Sequence, residues 1–232
     1  MKAIVTGGAG FIGSHMVDLL VKENFEVLVI DNLINGRVEN INKSSNVKFL
    51  KADISDYSVS FDEYFEDVDY VFHFAAMADI VPSINNPLLY HKANVDGTIN
   101  ILEAAKKSKN LKKFVYAASS SCYGIPDTYP TLENSPINPE YPYAHTKRIG
   151  TSGTYGAVFG VFLAQLLNNK PLTIIGDGEQ TRDFTFVTDV VDACYTAAKS
   201  DITNEIFNVG SDNTYSVNYL VELLGGEKVY IP

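Results

Sequence analysis

The stretch "KAIVTGGAGFIG", residues 2–13, decides the fold of this chain. An apolar run of strand length leads into a glycine-rich turn and then into apolar residues at helical spacing. Glycines allow a tight turn, and they let backbone N–H groups approach a pyrophosphate at the positive end of the helix. Two frames overlap, Gly7-x-x-Gly10-x-x-Gly13 and Gly8-x-Gly10-x-x-Gly13, and the sequence leaves both open. A tight turn without a ligand is the alternative interpretation.

Four more apolar runs have the length of strands, and they lie at 25–31, 47–53, 69–76 and 112–119. Helical patterns at 11–24 and 94–109 separate several of them. Strands that alternate with helices favour a parallel sheet with helices on both faces. The sequence therefore predicts an α/β fold with a doubly wound parallel sheet over residues 1–150.

The composition changes after residue 150, and residues 151–232 are predicted to form a smaller C-terminal lobe. A helix is expected to begin near Asp189, and a strand is expected at 205–211.

The charge balance argues against two classes of partner. The 232 residues include 28 acidic and 18 basic side chains, which gives a formal charge of −10 without any Lys/Arg block. We therefore expect no nucleic acid and no anionic membrane surface as a partner. The sequence has no apolar run of about 18 residues and begins directly with a strand, so we expect a cytoplasmic protein.

The two cysteines and four histidines do not indicate a metal site. Cys122 and Cys194 form no C-x-x-C pattern, and the histidines are scattered without metal-ligand spacing. All six are expected to have structural roles.

Asp31 ends the second predicted strand, 18 residues after Gly13. A carboxylate at this offset can accept hydrogen bonds from adenosine ribose hydroxyls and would repel a 2′-phosphate. No arginine follows immediately, although Arg37 lies nearby, so NAD is favoured over NADP. An ordinary strand-end aspartate is the alternative.

Two Tyr-x-x-x-Lys pairs occur, Tyr143/Lys147 and Tyr195/Lys199, and on a helix each pair lies on one face. Only the first follows a serine cluster, residues 119–121, at the end of a predicted strand. The second is predicted to be a core tyrosine with a lysine that extends its charge to solvent.

An ordered series of motifs resembles the extended short-chain dehydrogenases/reductases, most closely nucleotide-sugar 4-epimerases of the UDP-galactose 4-epimerase type. The motifs span most of residues 1–190 and are "TGGAGFIG", "DNLINGR", "ADI", "HFAA", "SINNPLLYHKANVDGT", "AASSSCYG", "YPYAHTK" and "GDGEQTRDFTFVTDV". The resemblance implies a Rossmann-type NAD-binding domain, a nucleotide-sugar-binding lobe, bound NAD, a nucleotide-sugar substrate such as a UDP-sugar, and a homodimer.

The resemblance also implies roles for individual residues. The cofactor would be bound by Gly7, Gly10, Phe11, Ile12, Asp31, Asn32, Asp53, Ile54, Phe74, Ala75, Ala76, Asn94, Tyr143 and Lys147. The catalytic residues would be Ser119, Tyr143 and Lys147, and the substrate would be bound by Ser120, Ser121 and Arg182. Arg182 would bind a phosphate, and an ion pair with Asp177 or Asp183 is its alternative.

The expected chemistry is reversible oxidation at C4 of the sugar. A phenol with a pKa of about 10 is a poor base, so Lys147 and the nicotinamide charge are expected to lower the pKa of Tyr143. Tyr143 would remove the hydroxyl proton, and Ser119 would position the same oxygen. The 4-keto sugar would rotate before hydride and proton return.

Two other functions are alternatives. Related 4,6-dehydratases carry an acid pair directly after the catalytic Ser/Thr, where this chain has Ser120 and Ser121. Serine is neither acid nor base at neutral pH, so epimerisation is favoured over dehydration or decarboxylation. A catalytically inactive NAD-binding protein is the second alternative.

The chain departs from the family pattern between Gly150 and Thr151. There the family continues the Tyr/Lys helix and adds a core strand and a substrate-binding asparagine. The family also has a second arginine beyond the point where this sequence stops. Our hypothesis is that the working protein is longer, and that a dimer pairing the Lys147 helix with the helix at 94–109 depends on the missing segment.

Overall fold

The computed structural model describes residues 1–148, 162 and 165–232, which form two compact units. The first unit contains residues 1–148 and 187–208, and the second contains the described residues of 154–186 together with 209–232. The sequence prediction instead assigned every residue after 150 to one second lobe. The two divisions differ because the helix at 187–199 packs against the sheet of the first unit.

A five-stranded parallel sheet forms the centre of the first unit. Its strands are β1 (Lys2–Thr6), β2 (Glu26–Asp31), β3 (Val47–Lys51), β4 (Tyr70–His73) and β5 (Lys113–Tyr116). Their order is β3-β2-β1-β4-β5, so the winding reverses between β1 and β4. Ligands bind at such a reversal, beyond the carboxyl ends of the strands. The predicted doubly wound sheet is therefore confirmed.

Helices flank this sheet. They are α1 (Phe11–Lys22), α2 (Asp62–Phe65), α3 (Ile80–Asn85), α4 (Pro87–His91), α5 (Gly97–Ala105), α6 (Pro142–Lys147) and α7 (Val187–Lys199). A π-helical turn, Lys92–Asp96, joins α4 to α5, so one helical segment runs from 87 to 105 where the sequence predicts a helix at 94–109. Short 3₁₀ turns lie at Val38–Asn40 and Ser120–Tyr123.

The side chains of β1 point alternately to the two faces of the sheet, and they belong to two separate core clusters of the first unit. Ala3 and Val5 belong to one cluster, and Ile4 belongs to the other. Successive side chains of a strand point to opposite faces, so a strand buried on both sides is apolar throughout. This explains why "KAIVT" carries no polar alternation.

Helix α7 completes the first of these clusters. Val191 and Ala198 are 3% and 2% exposed and pack with Val5, Val27 and other residues of the sheet. Burial of these apolar side chains against the sheet accounts for the grouping of 187–208 with the first unit.

The strand predicted at 205–211 is wrong, because these residues are irregular. The Asn208 backbone N–H donates to Glu133 Oε1 at 2.7 Å, and its side-chain amide donates to the Thr131 carbonyl at 2.9 Å. The backbone N–H of Asn208, which a strand would use to pair with its neighbour, is thus bonded to a side chain of another loop.

The second unit contains two small sheets. Strands β6 (Leu172–Ile175) and β9 (Lys228–Ile231) are parallel, whereas β7 (Thr181–Asp183) and β8 (Thr214–Ser216) are antiparallel. Helix α8 (Val217–Leu224) is capped by Ser216, whose side chain accepts a hydrogen bond from the Tyr219 N–H. Its buried face packs against Leu172 and Ile174.

Helix α6 has six residues and ends at Lys147. The junction between Gly150 and Thr151, where the sequence indicates a missing segment, lies outside the described residues. Across residues 1–148, 162 and 165–232, no helix has the length and apolar character needed to span a membrane.

The packing of α7 generates a stability prediction. Val191→Ala removes buried methyl groups and should lower the free energy of unfolding by about 2 kcal/mol. Asp192→Ala, at the neighbouring exposed position, should change it by less than about 0.5 kcal/mol. Urea denaturation followed by circular dichroism measures both. Equal effects would mean that α7 does not contribute to this core.

Candidate active site

The glycine turn brings two backbone segments into close contact. Gly7 has a φ of +71°, and a Cβ there would lie 2.6 Å from the Ala75 nitrogen. A Cβ on Gly13 would lie 2.2 Å from the Gly7 carbonyl oxygen. Neither position can hold a side chain without movement of the backbone. A Cβ on Gly8 would likewise lie 2.8 Å from the Val29 side chain, so the structure requires glycines of both overlapping frames.

Asp31, at the end of β2, joins the glycine turn to the following loop. Its Oδ2 accepts a hydrogen bond from the Ala9 N–H at 3.0 Å, and its Oδ1 accepts one from the Leu33 N–H at 2.8 Å. The side chain of Asn32 closes the next turn by accepting from the Ile34 N–H. Asp31 is 8% exposed, and it lines the cleft that opens beside the turn.

This cleft runs along the carboxyl ends of β1, β2 and β4. Nine of the predicted cofactor-binding residues line it, namely Gly7, Gly10, Asp31, Asn32, Asp53, Ile54, Phe74, Ala75 and Ala76. Sequence reasoning missed other lining residues, among them Gly36, Ser55, Met77 and Lys92. Of these, Lys92 supplies a cation at the cleft wall. Phe11 and Ile12 do not line the cleft, and Phe11 is 69% exposed at the start of α1.

Asp53 and Ile54 form the wall beyond β3. Asp53 Oδ1 accepts hydrogen bonds from both the backbone N–H and the hydroxyl of Ser55. Ile54 packs against Gly97, where a Cβ would lie 2.8 Å from the Ile54 side chain. The first residue of α5 thus fixes this part of the wall.

Asn94 is buried in the π-helical turn and links two parts of the site. Its Oδ1 accepts from the Met77 N–H at 2.7 Å, and its Nδ2 donates to the Met77 carbonyl and to Thr146 Oγ1. The Thr146 hydroxyl donates in turn to the Tyr143 carbonyl at 2.8 Å. The sequence predicts that Asn94 binds the cofactor in the cleft. In the structure its amide instead connects the loop at residue 77 to α6.

The structure brings Ser119, Tyr143 and Lys147 together as buried side chains, 1%, 6% and 3% exposed. The side chain of Ser119 is hydrogen-bonded to the phenol of Tyr143. Pro142 occupies the first turn of α6, where its missing N–H costs nothing. The Tyr143 N–H, which no helical carbonyl can satisfy, donates to Ser83 Oγ at 3.1 Å.

Ser83 was not predicted from the sequence, because a single serine on another helix carries no local signal. It is fully buried and also donates to the Ile80 carbonyl at 2.6 Å. The ring of Tyr90 lies edge-on to that of Tyr143, with centroids 6.4 Å apart. Helix α3 therefore holds the backbone of Tyr143, and α4 packs a ring against its side chain.

The expected lowering of the Tyr143 pKa is wrong for the protein alone. Burial raises the pKa of Tyr143, and the hydrogen bond with Ser119 only partly opposes it. Burial likewise lowers the pKa of Lys147 to about 8. The Lys147 ammonium lies over the ring of Tyr116, 4.6 Å from its centroid. Desolvation thus outweighs the effect expected from helical spacing.

His73 is a structural residue, as the sequence indicates. The Thr98 hydroxyl donates to the Asn94 carbonyl, so it accepts from His73 Nε2, and the Thr6 hydroxyl then donates to Nδ1. Burial and the charge of Lys147 lower the pKa of His73 to about 3. The imidazole is therefore neutral.

Ser120 and Ser121 form the 3₁₀ turn that follows Ser119, whose Oγ accepts from the Ser121 N–H at 3.3 Å. The second Tyr-x-x-x-Lys pair lies elsewhere. Tyr195 packs against the sheet cluster and hydrogen-bonds Glu23, and Lys199 lies exposed over the ring of Tyr70. The prediction of a structural role for this pair is confirmed.

Arg182 lies in β7 of the second unit and is exposed. Its guanidinium donates to the Thr181 carbonyl at 2.7 Å. Asp183 instead accepts twice from the Ser211 N–H. Within the described part of the chain, Arg182 forms no ion pair with Asp177 or Asp183.

Comparisons with known proteins agree with this geometry. The family model described as GDP-mannose 4,6 dehydratase matches residues 4–162, and that of the NAD dependent epimerase/dehydratase family matches residues 150–210. A putative UDP-glucose 4-epimerase from Methanocaldococcus jannaschii is 38% identical, over 97% of this chain and 81% of the relative. This chain belongs to the extended short-chain dehydrogenases/reductases, among the nucleotide-sugar epimerases.

Solved structures of the same family are similar throughout. A UDP-N-acetylglucosamine 4-epimerase from Methanobrevibacter ruminantium has a TM-score of 0.90 and 32% identity, covering 99% of this chain and 84% of that one. A UDP-glucuronic acid 4-epimerase from Bacillus cereus, solved with UDP-glucuronic acid and NAD, has a TM-score of 0.87 and 28% identity, covering 100% and 86%. The predicted family and Rossmann-type fold are confirmed.

The epimerase relative from M. jannaschii contains residues that this chain lacks. The alignment extends over 253 positions, whereas this chain has 232 residues. The difference means that at least 21 positions of the alignment have no counterpart here.

The residues of the cleft fit NAD, which is the cofactor of this family. The backbone at Gly7 and Gly13 forms a cradle that any Cβ would fill, as a pyrophosphate requires. Asp31 presents an acceptor at the end of β2 for ribose hydroxyls. The predicted NAD cofactor is confirmed.

Asp31 generates a prediction about cofactor selection. Asp31→Asn should weaken NAD binding about tenfold, because a charged acceptor of ribose hydroxyls is lost, and should narrow the preference for NAD over NADP. Asp18→Asn removes an exposed carboxylate of α1 that does not line the cleft and is the control. Isothermal titration calorimetry measures both cofactors. An unchanged NAD affinity in Asp31→Asn would contradict the role of this residue.

Proposed function

We propose that this protein interconverts the C4 epimers of a nucleotide sugar and retains NAD between turnovers. The relatives reported above act on UDP-glucose, UDP-N-acetylglucosamine and UDP-glucuronic acid according to their names. The substrate class is therefore a UDP-hexose, a UDP-N-acetylhexosamine or a UDP-hexuronate, as the sequence analysis predicts.

The observation that carries this proposal is the buried group formed by Ser119, Tyr143 and Lys147. It follows the carboxyl end of β5, and the cleft lies at the carboxyl ends of β1, β2 and β4. In a parallel sheet these ends share one edge, so the acid-base group and the cofactor cleft belong to the same site.

The proposed chemistry uses one phenol for both directions of proton transfer. NAD, when bound, supplies the acceptor and then the donor of hydride for the C4 carbon. Tyr143 accepts the proton of the C4 hydroxyl and later returns it to the same oxygen. The Ser119 hydroxyl donates a hydrogen bond to that oxygen and positions it for the transfer.

The burial of Tyr143 disfavours its phenolate, and this gives the charge of Lys147 a role. Because desolvation raises the pKa of Tyr143, the phenolate needs a nearby positive charge. Lys147, with a pKa of about 8, is mostly charged at neutral pH and lies one helical turn away. We assign to it the stabilisation of the phenolate.

Epimerisation is favoured over elimination by the residues after Ser119. Ser120 and Ser121 stand where dehydratases of this family carry acidic residues, and neither can remove or donate a proton at neutral pH. Their hydroxyls can instead hydrogen-bond the sugar. A dehydratase or decarboxylase is therefore the weaker assignment.

Arg182 is proposed to bind a phosphate of the nucleotide sugar. Its guanidinium is exposed and has donors left over after the bond to Thr181. A planar guanidinium donates two parallel hydrogen bonds to a phosphate, which suits this role.

We further infer that the working protein contains an additional segment between Gly150 and Thr151. The length of the alignment with the M. jannaschii relative and the short α6 helix support this inference. A homodimer and a cytoplasmic location stay predictions. An inactive NAD-binding protein is the alternative if the segment is absent in the working protein.

Tyr143→Phe tests the acid-base assignment. The variant should lose at least about a hundredfold in turnover, because proton transfer is removed, and should still retain NAD. Tyr195→Phe, in the other Tyr-x-x-x-Lys pair, should leave turnover within about twofold. The wild type is incubated with UDP-glucose, UDP-N-acetylglucosamine and UDP-glucuronate separately, and chromatography detects the 4-epimer. Unchanged turnover in Tyr143→Phe would remove this residue from the mechanism.

A second experiment tests the additional segment. Inserting the corresponding residues of the M. jannaschii relative after Gly150 should raise turnover at least tenfold and convert a monomer into a dimer, because the Lys147 helix is lengthened and gains packing. Intact mass spectrometry first establishes that the uninserted protein has the expected 25.5 kDa, and analytical ultracentrifugation gives the oligomeric state. Equal turnover of both proteins would contradict the need for the segment.

A further inference from the structure

Lys147 is a buried cation without a carboxylate partner. Its side chain is 3% exposed, and none of the ion pairs among the described residues includes it. The remaining residues, 149–161 and 163–164, contain no Asp or Glu. A buried ammonium normally requires a compensating group. Some group other than a carboxylate must therefore stabilise the charge of Lys147.

The ring of Tyr116 is the group that the ammonium contacts. Tyr116 is the last residue of β5, and Lys147 Nζ lies 4.6 Å from the centroid of its ring. This is well within the distance at which the negative face of an aromatic ring attracts a cation, and the attraction is larger in a desolvated site. The contact thus supplies a compensating interaction.

Neutral His73 fixes the orientation of this ring. The two rings are stacked, with centroids 5.6 Å apart and planes inclined by 16°. Hydrogen bonds with Thr6 and Thr98 lock the imidazole, which lies at the end of the adjacent strand β4. The Tyr116 ring therefore has little freedom to move away from Lys147.

The hydroxyl of Tyr116 does not account for its placement. Tyr116 Oη is buried and has no hydrogen-bond partner within the described part of the chain. Burying an unsatisfied hydroxyl costs free energy, so the useful part of this side chain is its ring.

We propose that Tyr116 is a positioning residue whose ring holds the charged Lys147 side chain in place of a carboxylate. A carboxylate would form a fixed ion pair and would repel a phenolate at Tyr143. An aromatic face attracts the ammonium without adding a negative charge, so the ammonium stays available to Tyr143. This inference rests on the proposed role of Lys147.

Other ionisable groups around Lys147 set the direction of the expected change. Cys122 raises the pKa of Lys147, the neutral His73 carries no charge, and Tyr143 lies on the same helix. Burial, the largest effect, lowers the pKa to about 8. Weakening the attraction of the ring should lower it further, so that Lys147 loses its charge at a lower pH.

The experiment replaces Tyr116 with Phe and then with monofluoro- and trifluorophenylalanine. These analogues keep the shape of the ring and progressively remove its negative face, so folding is preserved. The pKa of Lys147 is measured by NMR of protein labelled with ¹³C at lysine Cε, and its signal is identified by its absence in Lys147→Met. Trifluorophenylalanine should raise the acid dissociation constant of Lys147 about tenfold relative to Tyr116→Phe, with the monofluoro analogue between them.

The same trifluorophenylalanine substitution at Tyr70 is the control. That ring also lies under lysines, Lys112 and Lys199, but both of them are exposed. It should not change the pKa of Lys147. An unchanged Lys147 pKa across the Tyr116 series, or an equal change from the Tyr70 control, would overturn the proposal.

The pH dependence of turnover gives a second readout. The basic limb, where Lys147 loses its charge, should move to lower pH in the fluorinated variants and stay in place in Tyr116→Phe. The NMR titration does not depend on turnover. If no 4-epimer formed from any of the three UDP-sugars, the proposed function would fail, while the titration would still decide whether Tyr116 holds the charge of Lys147.

Discussion

The close approach of the backbone at Gly7 to the backbones at Gly13 and Ala75 is the constraint on which the site depends. It places the first turn of α1 directly beyond β1 and leaves room beside the turn for a phosphate. Asp31 strengthens this arrangement, because its carboxylate is bonded to the Ala9 and Leu33 N–H groups. The cleft is therefore formed by the backbone before any cofactor contributes.

A second set of hydrogen bonds connects the loop after β4 and helix α3 to the acid-base residues of α6. Asn94 ties the loop after β4 to α6 through Met77 and Thr146, and Ser83 satisfies the Tyr143 N–H. A helix of six residues has little stability of its own. Buried polar groups on three other segments hold it, and satisfied buried networks of this kind specify one geometry.

The sequence predicted those features that local spacing encodes. The glycine turn, Asp31 at the end of β2 and the difference between the two Tyr-x-x-x-Lys pairs all follow from short-range patterns. Ser83 and Tyr116 could not be predicted, because their roles arise from packing between distant segments. The prediction of a strand at 205–211 was wrong, because Asn208 forms hydrogen bonds with Glu133 and Thr131 instead of with a neighbouring strand. The rise of the Tyr143 pKa in the protein alone could not be predicted, because helical spacing does not report burial.

The return of α7 to the first sheet has a consequence for biosynthesis. Val191 and Ala198 complete a core whose other buried members lie between Ala3 and Phe72. A ribosome must therefore add residues up to Ala198 of the 232 before this core is complete. Until then the apolar surface on β1 and β2 stays exposed. The cofactor cleft forms on the part that is made first, so NAD could bind the emerging chain before its hydrophobic core is closed.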